Sequence, residues 1–284
     1  MRRILIVVFL LTNSCSFGIP HYYATSADAN FFNKLVTLIE TIQKNDGQDF
    51  SEIAVFDLGF KSWQREYLVN LERVKVCDLE MVHPDLLKYF QTSSGGRKVR
   101  GWFAWKPVAI KQALDLYPYV LYLDAAMEIY RPLDDLFQHI AQVGYWFVDS
   151  GDPKEQSLPY RVTKPVVSQI IKKLSPDLQM MLLSDDVKLI SAGIQGLSRK
   201  VYDSYVFPVY QCAYNLELFA DDGSCQLGFG AARHDQAIFS IYTVLNGFKI
   251  SRQGWQTLQV GDRVVPFHKH WNRKELNEFS SLKY

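Results

Sequence analysis

The sequence has no excess of either charge. Its 284 residues carry 31 Lys and Arg against 30 Asp and Glu, which gives a formal net charge of +1 at pH 7. Such a chain lacks the long-range field that draws proteins to nucleic acid or to an anionic membrane surface. We therefore predict no nucleic-acid partner, and any bound phosphate must be held by local side chains.

Long hydrophobic runs are also lacking. The apolar run at residues 4–11 falls short of the about 20 residues that cross a bilayer, so we predict no integral membrane span. Arg2 and Arg3 precede this run and small polar residues follow it, which is the zoned pattern of a secretory signal peptide. We predict a signal peptide over residues 1–18 and a location in the secretory lumen (ER or Golgi) or outside the cell. A buried first strand is the alternative.

Repeats, low-complexity tracts and Pro/Gly/Ser-rich linkers are absent, so nothing divides the chain. Apolar residues make up 48% of the sequence and charged residues 21%, enough to bury a large core. We predict one folded domain over residues 19–284.

Cysteine is scarce. Without the predicted signal peptide, Cys77, Cys212 and Cys225 remain, an odd number that leaves at least one thiol unpaired or linked to another chain. Cys212 and Cys225 flank an acidic, glycine-containing loop and could form a disulfide in an oxidising compartment. The alternative is that all three are small buried apolar residues, and spacing alone leaves both open.

Strand and helix patterns alternate along the first half of the chain. Apolar runs predict strands at residues 21–25, 53–56, 74–77, 119–123 and 144–148, and helical spacing predicts helices at 31–43, 62–71 and 105–116. Alternation of this kind favours an α/β fold with a doubly wound, mostly parallel sheet flanked by helices. The second half predicts a helix at 164–174, a strand at 190–197, a loop at 203–233 and a helix at 235–245.

Polar residues follow several predicted strands. Ligands of such sheets bind at the carboxyl ends of the strands, where Ser26, Asp28, Asp57 and Asp124 are expected. Capping of the following helix is the alternative for Thr25, Ser26 and Asp28. For Asp124 the alternative is capping of the following turn.

The segment YVLYLDAAMEIYRPLDDLF (residues 119–137) ends an apolar strand at Asp124, with Glu128 four residues later. It resembles the D-x-D element of GT-A glycosyltransferases, which holds a divalent cation against the diphosphate of a nucleotide sugar. Here Ala126 takes the second acidic place. The resemblance implies a divalent cation, Mn²⁺, with Asp124 as a ligand. Glu128 is a weaker second ligand, because an exposed Glu after a strand is usually solvated.

Other segments extend this resemblance over most of residues 21–275. YATSADANFFNKLVTLIETI (23–42) is similar to the first strand and helix of family 8 glycosyltransferases, which implies that Thr25, Ser26 and Asp28 meet the nucleoside. IAVFDLGF (53–60), WKPVAI (105–110) and RHDQAIF (233–239) resemble an uncharacterised, animal-rich family of predicted GT-A transferases.

The Asp235-Gln236 pair carries the catalytic prediction. In the retaining family 8 enzymes such a pair lies beside the donor sugar, which implies that Asp235 binds the sugar hydroxyls and that Gln236 faces the anomeric carbon. An acid that complements the macrodipole in the first turn of a helix is the alternative for Asp235. ISAGIQGLSRK (190–200) places Gly193 where the backbone can approach a bound sugar, or where a bulge occurs.

Basic residues near the C-terminus complete the predicted donor site. By the same resemblance, VVPFHKHWNRK (264–274) offers His268 or His270 to the metal. It also offers basic side chains to the diphosphate: Lys269, Arg273 or Lys274. Lys106 is a further phosphate candidate, with a surface lysine at a helix start as its alternative.

The resemblance thus implies transfer of a sugar from a nucleotide-sugar donor to a glycan or glycoprotein acceptor, with retention at the anomeric carbon. An inactive relative that binds a glycan or a nucleotide sugar is the alternative, favoured by Ala126. Nucleotidyl transfer is disfavoured, because residues 25–30 lack a glycine-rich loop. The aromatic residues Trp102, Phe103 and Trp105 indicate either stacking on sugar or core.

Overall fold

A computed structural model describes residues 18–47, 50–91, 98–152 and 154–251, together with the backbone of three short strands further on. The strands are β1 (His21–Ala27), β2 (Phe50–Asp57), β3 (Val74–Asp78), β4 (Tyr89–Gln91), β5 (Lys98–Arg100), β6 (Tyr119–Leu123), β7 (Met127–Ile129), β8 (Tyr145–Asp149), β9 (Ile190–Ser198), β10 (Ile250–Ser251), β11 (Leu258–Val260), β12 (Arg263–Val265) and β13 (Phe267–Lys269). The helices are α1 (Phe32–Asn45), α2 (Ser62–Val69), α3 (Trp105–Leu116), α4 (Asp134–Val143), α5 (Leu158–Arg161), α6 (Lys164–Gln169), α7 (Pro176–Leu182), α8 (Phe207–Cys212) and α9 (His234–Leu245).

A seven-stranded sheet lies at the centre, in the order β10-β8-β9-β6-β1-β2-β3. β1 pairs in parallel with β2 and β6, β2 with β3, and β10 with β8. β9 runs antiparallel between β6 and β8. The predicted mostly parallel α/β sheet is confirmed, and the carboxyl ends of β1, β2 and β6 meet at one edge.

Helices cover both faces of this sheet. Alternate residues of β6 point to opposite faces, as the pleat of a strand requires. Val120 and Tyr122 pack with α3, α8 and α9, whereas Leu121 and Leu123 pack with α1 and α4. All four are at most 1% exposed, so the strand that leads to Asp124 is fixed on both faces.

A buried polar network fastens the start of β1, at the opposite edge of the sheet from Asp124. Asp46 accepts hydrogen bonds from the Tyr23 hydroxyl (2.7 Å) and the Leu133 backbone N–H (3.1 Å), and its carboxylate lies 2.6 Å from His21 Nδ1. The His21 ring stacks on Phe137 at 4.2 Å between centroids. These contacts fix the C-terminal end of α1 and the segment before α4 against β1.

Three small sheets lie beside the central one: β4 with β5, β7 with β13, and β11 with β12. The β7–β13 register sets His268 opposite Glu128. In the part of the chain that the structure describes, no helix has both the length and the apolar character needed to cross a membrane.

Two segments of the second half differ from the sequence-based expectations. The predicted helix at 164–174 is interrupted, since α6 ends at Gln169 and a 3₁₀ turn follows. The predicted loop at 203–233 contains α8, preceded by a π-helical turn at Tyr202–Val206. Apolar residues of this segment, among them Val206 and Val209, are buried in the core, which explains why the segment forms helical turns and not a loop. Cys77, Cys212 and Cys225 are free thiols, and Cys212 and Cys225 are buried as the alternative without a disulfide expects, whereas Cys77 is only partly buried.

Candidate functional site

A buried lysine joins two carboxylates at the carboxyl edge of the sheet. Lys106 Nζ lies 3.0 Å from Asp124 Oδ1 and 3.0 Å from Asp235 Oδ2. Lys106 belongs to the first turn of α3, Asp124 directly follows β6, and Asp235 is the second residue of α9. Three elements far apart in sequence therefore converge on one ion cluster, which we call the Lys106 cluster.

Burial sets the electrostatics of this cluster. Burial alone would lower the pKa of Lys106, but Asp124 and Asp235 outweigh it and raise that pKa well above its ordinary value. For Asp235, burial raises the pKa and Lys106 opposes the rise. The rings of Phe103, Trp105 and Tyr122 surround the ammonium at 5.7–5.8 Å from their centroids. Lys106 thus stays charged, in surroundings where charges interact strongly.

The three members of the cluster differ in exposure. The side chains of Lys106 and Asp235 are 5% and 8% exposed, against 25% for Asp124. When both carboxylates are ionised, the cluster carries one negative charge in excess. Asp124 is the member that a ligand in solution can reach.

Gly193 makes room for Asp124. A Cβ at Gly193 would lie 2.5 Å from Asp124 Oδ2, closer than such contacts allow. The Asp124 backbone N–H donates to the Gly193 carbonyl at 2.8 Å. The sequence analysis expected a bound sugar or a bulge at this glycine, and in the structure the Asp124 carboxylate lies against it.

Thr25 and Ser26 lie inside β1, which runs two residues further than expected. They are 1% and 4% exposed. The Thr25 hydroxyl has no hydrogen-bond partner in the described part of the chain, whereas the Ser26 hydroxyl lies beside that of Tyr122. The helix-capping alternative is wrong for both, because α1 starts only at Phe32.

Asp28 holds a turn and a hairpin together. Its carboxylate accepts hydrogen bonds from the backbone N–H groups of Asn30 (2.9 Å) and Phe31 (3.3 Å). The Tyr89 hydroxyl donates to it at 2.5 Å and Arg100 Nε at 3.3 Å, which ties the β4–β5 hairpin to the end of β1.

Two further acids have structural partners. Asp57 accepts hydrogen bonds from the Gly59 and Phe60 backbone N–H groups and pairs with Arg65 at 2.7 Å. Glu128 was expected to be exposed, and this is wrong, because it lies in β7 and is 8% exposed. Its carboxylate accepts the Tyr130 hydroxyl at 2.6 Å.

Lys106 departs from both of its sequence-based interpretations. The surface-lysine alternative is wrong, since only 4% of the residue is exposed. Its ammonium contacts two carboxylates, which places it beside the predicted donor site but in a different role from a free phosphate ligand. Asp235 lies in the first turn of α9, as the sequence predicts. Gln236 follows it and is partly buried.

The described residues do not fit a divalent cation. Asp124 has one carboxylate oxygen on an ammonium, and Ala126 supplies no ligand. Within residues 18–251, gaps excepted, no group of three or more His, Cys, Asp and Glu side chains is arranged to hold a metal. Of His268 and Lys269 the structure describes only the backbone in β13, while His270, Arg273 and Lys274 lie outside the described residues.

An aromatic stack beside the cluster was missed by sequence reasoning. Trp102 packs between Phe90 and His234, with centroids 5.3 Å from each. Trp102 and Trp105 are 8% and 7% exposed, so the core interpretation applies to them. Trp102, Phe103 and His234 have positive φ angles of 51°, 64° and 40°, a conformation that non-glycine residues adopt rarely and often at functional sites.

No family model matches the chain, and no curated protein matches it in sequence. Several solved structures match the chain in their fold. Core-mannan synthase A from Aspergillus fumigatus, in its Mn/GDP form, superimposes with a TM-score of 0.52 at 10% identity, over 78% of this chain and 69% of that one. Mouse xyloside xylosyltransferase 1 gives 0.45 at 15% identity, over 82% and 84%. The galactosyltransferase LgtC, with donor and acceptor sugar analogues, gives 0.44 at 14% identity, over 78% and 69%. The chain has the GT-A fold, as predicted.

Proposed function

We propose that the protein is a glycosyltransferase that moves a sugar from a nucleotide-sugar donor to a hydroxyl group of a glycan or protein. The observation that carries this proposal is the Lys106 cluster, which lies at the ligand-binding edge of a GT-A sheet. Its Asp124 and Asp235 are among the acids to which the sequence resemblance assigns donor-side roles.

The chemistry of transfer matches the charge of this cluster. When the diphosphate leaves, positive charge develops at the anomeric carbon, and fixed negative charge nearby stabilises it. Two of the three charges, those of Lys106 and Asp235, are buried, and the excess negative charge reaches the surface through Asp124. In the proposed site, Asp235 binds the sugar hydroxyls and Gln236 faces the anomeric carbon, with retention of configuration.

The rest of the donor site is proposed on the resemblance alone. Thr25 and Ser26 meet the nucleoside, and the Thr25 hydroxyl, which has no hydrogen-bond partner among the described residues, supports this part of the proposal. Lys269 and Arg273 bind the diphosphate. No step is assigned to the predicted Mn²⁺, because the described residues do not form a site for it. The reaction takes place in the secretory lumen, to which the predicted signal peptide directs the chain.

Release of nucleoside diphosphate tests the proposal. The mature chain is given a panel of nucleotide sugars and glycan acceptors, with and without Mn²⁺. We expect release with at least one donor, and its loss in Asp124→Asn. Asp115→Asn is the matched control, since Asp115 pairs with Lys111 on the surface of α3 and should leave release unchanged. Equal rates in both variants would contradict the assignment of the site.

A binding protein with the same fold is the second candidate, because Ala126 replaces the second acid of D-x-D. Calorimetry separates it from the enzyme. Saturable binding of a nucleotide sugar or a glycan, without release at any Mn²⁺ concentration, would identify the binder.

A further inference from the structure

His234 is fixed in one orientation next to Asp235. Its ring packs against Trp102 (5.3 Å between centroids, planes inclined by 26°) and Phe103 (5.6 Å, 47°). Its Nδ1 lies 2.7 Å from the Phe219 carbonyl oxygen. Two ring contacts and a hydrogen bond leave this imidazole no freedom to rotate.

The Phe219 contact also fixes which nitrogen carries the proton. A carbonyl oxygen only accepts hydrogen bonds, so Nδ1 must be the N–H donor. In the neutral ring Nε2 then keeps a lone pair. In the described part of the chain, no hydrogen bond is made to Nε2, so this lone pair has no protein donor there.

The surroundings of His234 keep the ring neutral near pH 7. Burial lowers its pKa below the ordinary value of 6.5. The Phe219 carbonyl, Asp235 and Asp221 oppose this, while the Arg233 guanidinium adds to it. The outcome is a lowered pKa, so the lone pair of Nε2 is present at neutral pH.

The backbone supports a functional interpretation of this residue. His234 has a φ of 40°, and its two ring neighbours Trp102 and Phe103 also adopt left-handed conformations. Such geometry is costly for non-glycine residues and persists where the surrounding structure enforces it. The Phe103 ring also lies 5.8 Å from Lys106 Nζ, so one aromatic side chain contacts both the histidine and the Lys106 cluster.

We propose that His234 is the residue that receives the proton of the acceptor hydroxyl, through Nε2. The inference rests on the proposed glycosyl transfer. Because configuration is retained in the proposed reaction, the acceptor oxygen approaches the anomeric carbon from the face on which the diphosphate leaves. As it bonds to that carbon, the bond from the carbon to the diphosphate oxygen breaks, and its electron pair leaves with the diphosphate. The hydroxyl proton passes to Nε2. His234 thus acts on the acceptor, whereas the Lys106 cluster acts on the donor.

The test measures transfer to methyl glycosides together with the KM for the donor. His234→Asn retains an N–H in place of Nδ1 for the Phe219 carbonyl but has no counterpart of Nε2. Loss of a general base costs about 100-fold or more in rate, so we expect kcat/KM for the methyl glycoside to fall by that factor. The KM for the donor should be unchanged. His139→Asn is the control, because His139 also has a lowered pKa from burial but lies on α4.

The pH profile and nitrogen-15 spectra complete the test. Wild-type transfer should fall as the pH drops through the lowered pKa of His234, and this limb should vanish in His234→Asn. The imidazole spectrum at pH 7 should show a protonated Nδ1 and an unprotonated Nε2. An unchanged pH limb, the opposite tautomer, or an equal loss of donor binding and transfer overturns the proposal. If the wild type releases no diphosphate from any donor, the proposed function itself fails and takes this inference with it.

Discussion

Replacing Lys106 by methionine should destabilise the protein strongly at neutral pH. Methionine fills much of the same space but leaves two carboxylates without their cation, one of them 8% exposed. Removing one partner of a buried ion pair costs about 3–5 kcal/mol, because the other charge stays buried and uncompensated. We expect a loss of this size in the free energy of unfolding, measured by urea denaturation.

Lys111→Met is the matched control. Lys111 lies on the same helix and also contacts two carboxylates, Asp115 at 2.9 Å and Glu80 at 3.8 Å. Those carboxylates are 44% and 42% exposed, so water screens the pairs. Exposed pairs contribute about 0.2–1 kcal/mol each, so loss of the two pairs in the control should cost at most about 2 kcal/mol.

The loss of stability in Lys106→Met should depend on pH. The folded-state pKa of Asp235 is already raised above 3.8 by burial, against the influence of Lys106. Without Lys106 it rises further, so the folded variant binds a proton more readily than the unfolded chain does. The free energy of unfolding of the variant therefore falls as the pH rises from the pKa of Asp235 in the unfolded chain to its higher pKa in the folded variant. The loss relative to wild type should be smaller near pH 4.5 than near pH 8. Equal losses for the two lysines, or no dependence on pH, would refute the reasoning.

Three further predictions concern the same site and the thiols. Gly193→Ala should displace Asp124 and lower diphosphate release by about 100-fold, because misplaced catalytic groups lose rates of this size. Gly47→Ala is the control and should leave release unchanged, because a Cβ at Gly47 meets no atom closer than 3.5 Å. Chelation with EDTA should lower release without abolishing it, because the Lys106 ammonium already neutralises one carboxylate at the site; complete loss that Mn²⁺ restores would contradict this. Alkylation of the denatured, unreduced chain should label both Cys212 and Cys225, as mass spectrometry of the peptides will show, and a linked peptide pair would refute the free-thiol assignment.

The fold was largely predictable because its strands are continuous apolar runs. Residues 119–123 are apolar or aromatic throughout, and four of the five are buried, so the strand and the position of Asp124 followed directly. β9 was predicted as a strand, but its antiparallel course between β6 and β8 was not. The direction in which a strand enters a sheet depends on the chain that connects it, and residues 150–189 carry only short helices with weak patterns.

The site was predictable residue by residue but not as a set of contacts. Asp124 and Asp235 were found by local patterns, since one ends a strand and the other opens a helix. Lys106 was found only as a free cation, because nothing in WKPVAI tells that its side chain is buried. Which carboxylates it meets is decided by the packing of α3, β6 and α9, and sequence spacing does not record that packing.

The central position of β9 affects the order in which the protein can assemble during synthesis. β9 is the neighbour that joins β6 to β8, and it is made after both. Roughly forty residues separate the end of β8 from the start of β9, and ribosomes add about 5–20 residues per second. For some seconds the nascent chain therefore presents an open edge on β6 and a β8 strand without its partner, and such edges pair readily with other chains. Chaperone demand should thus peak before residue 198 leaves the ribosome.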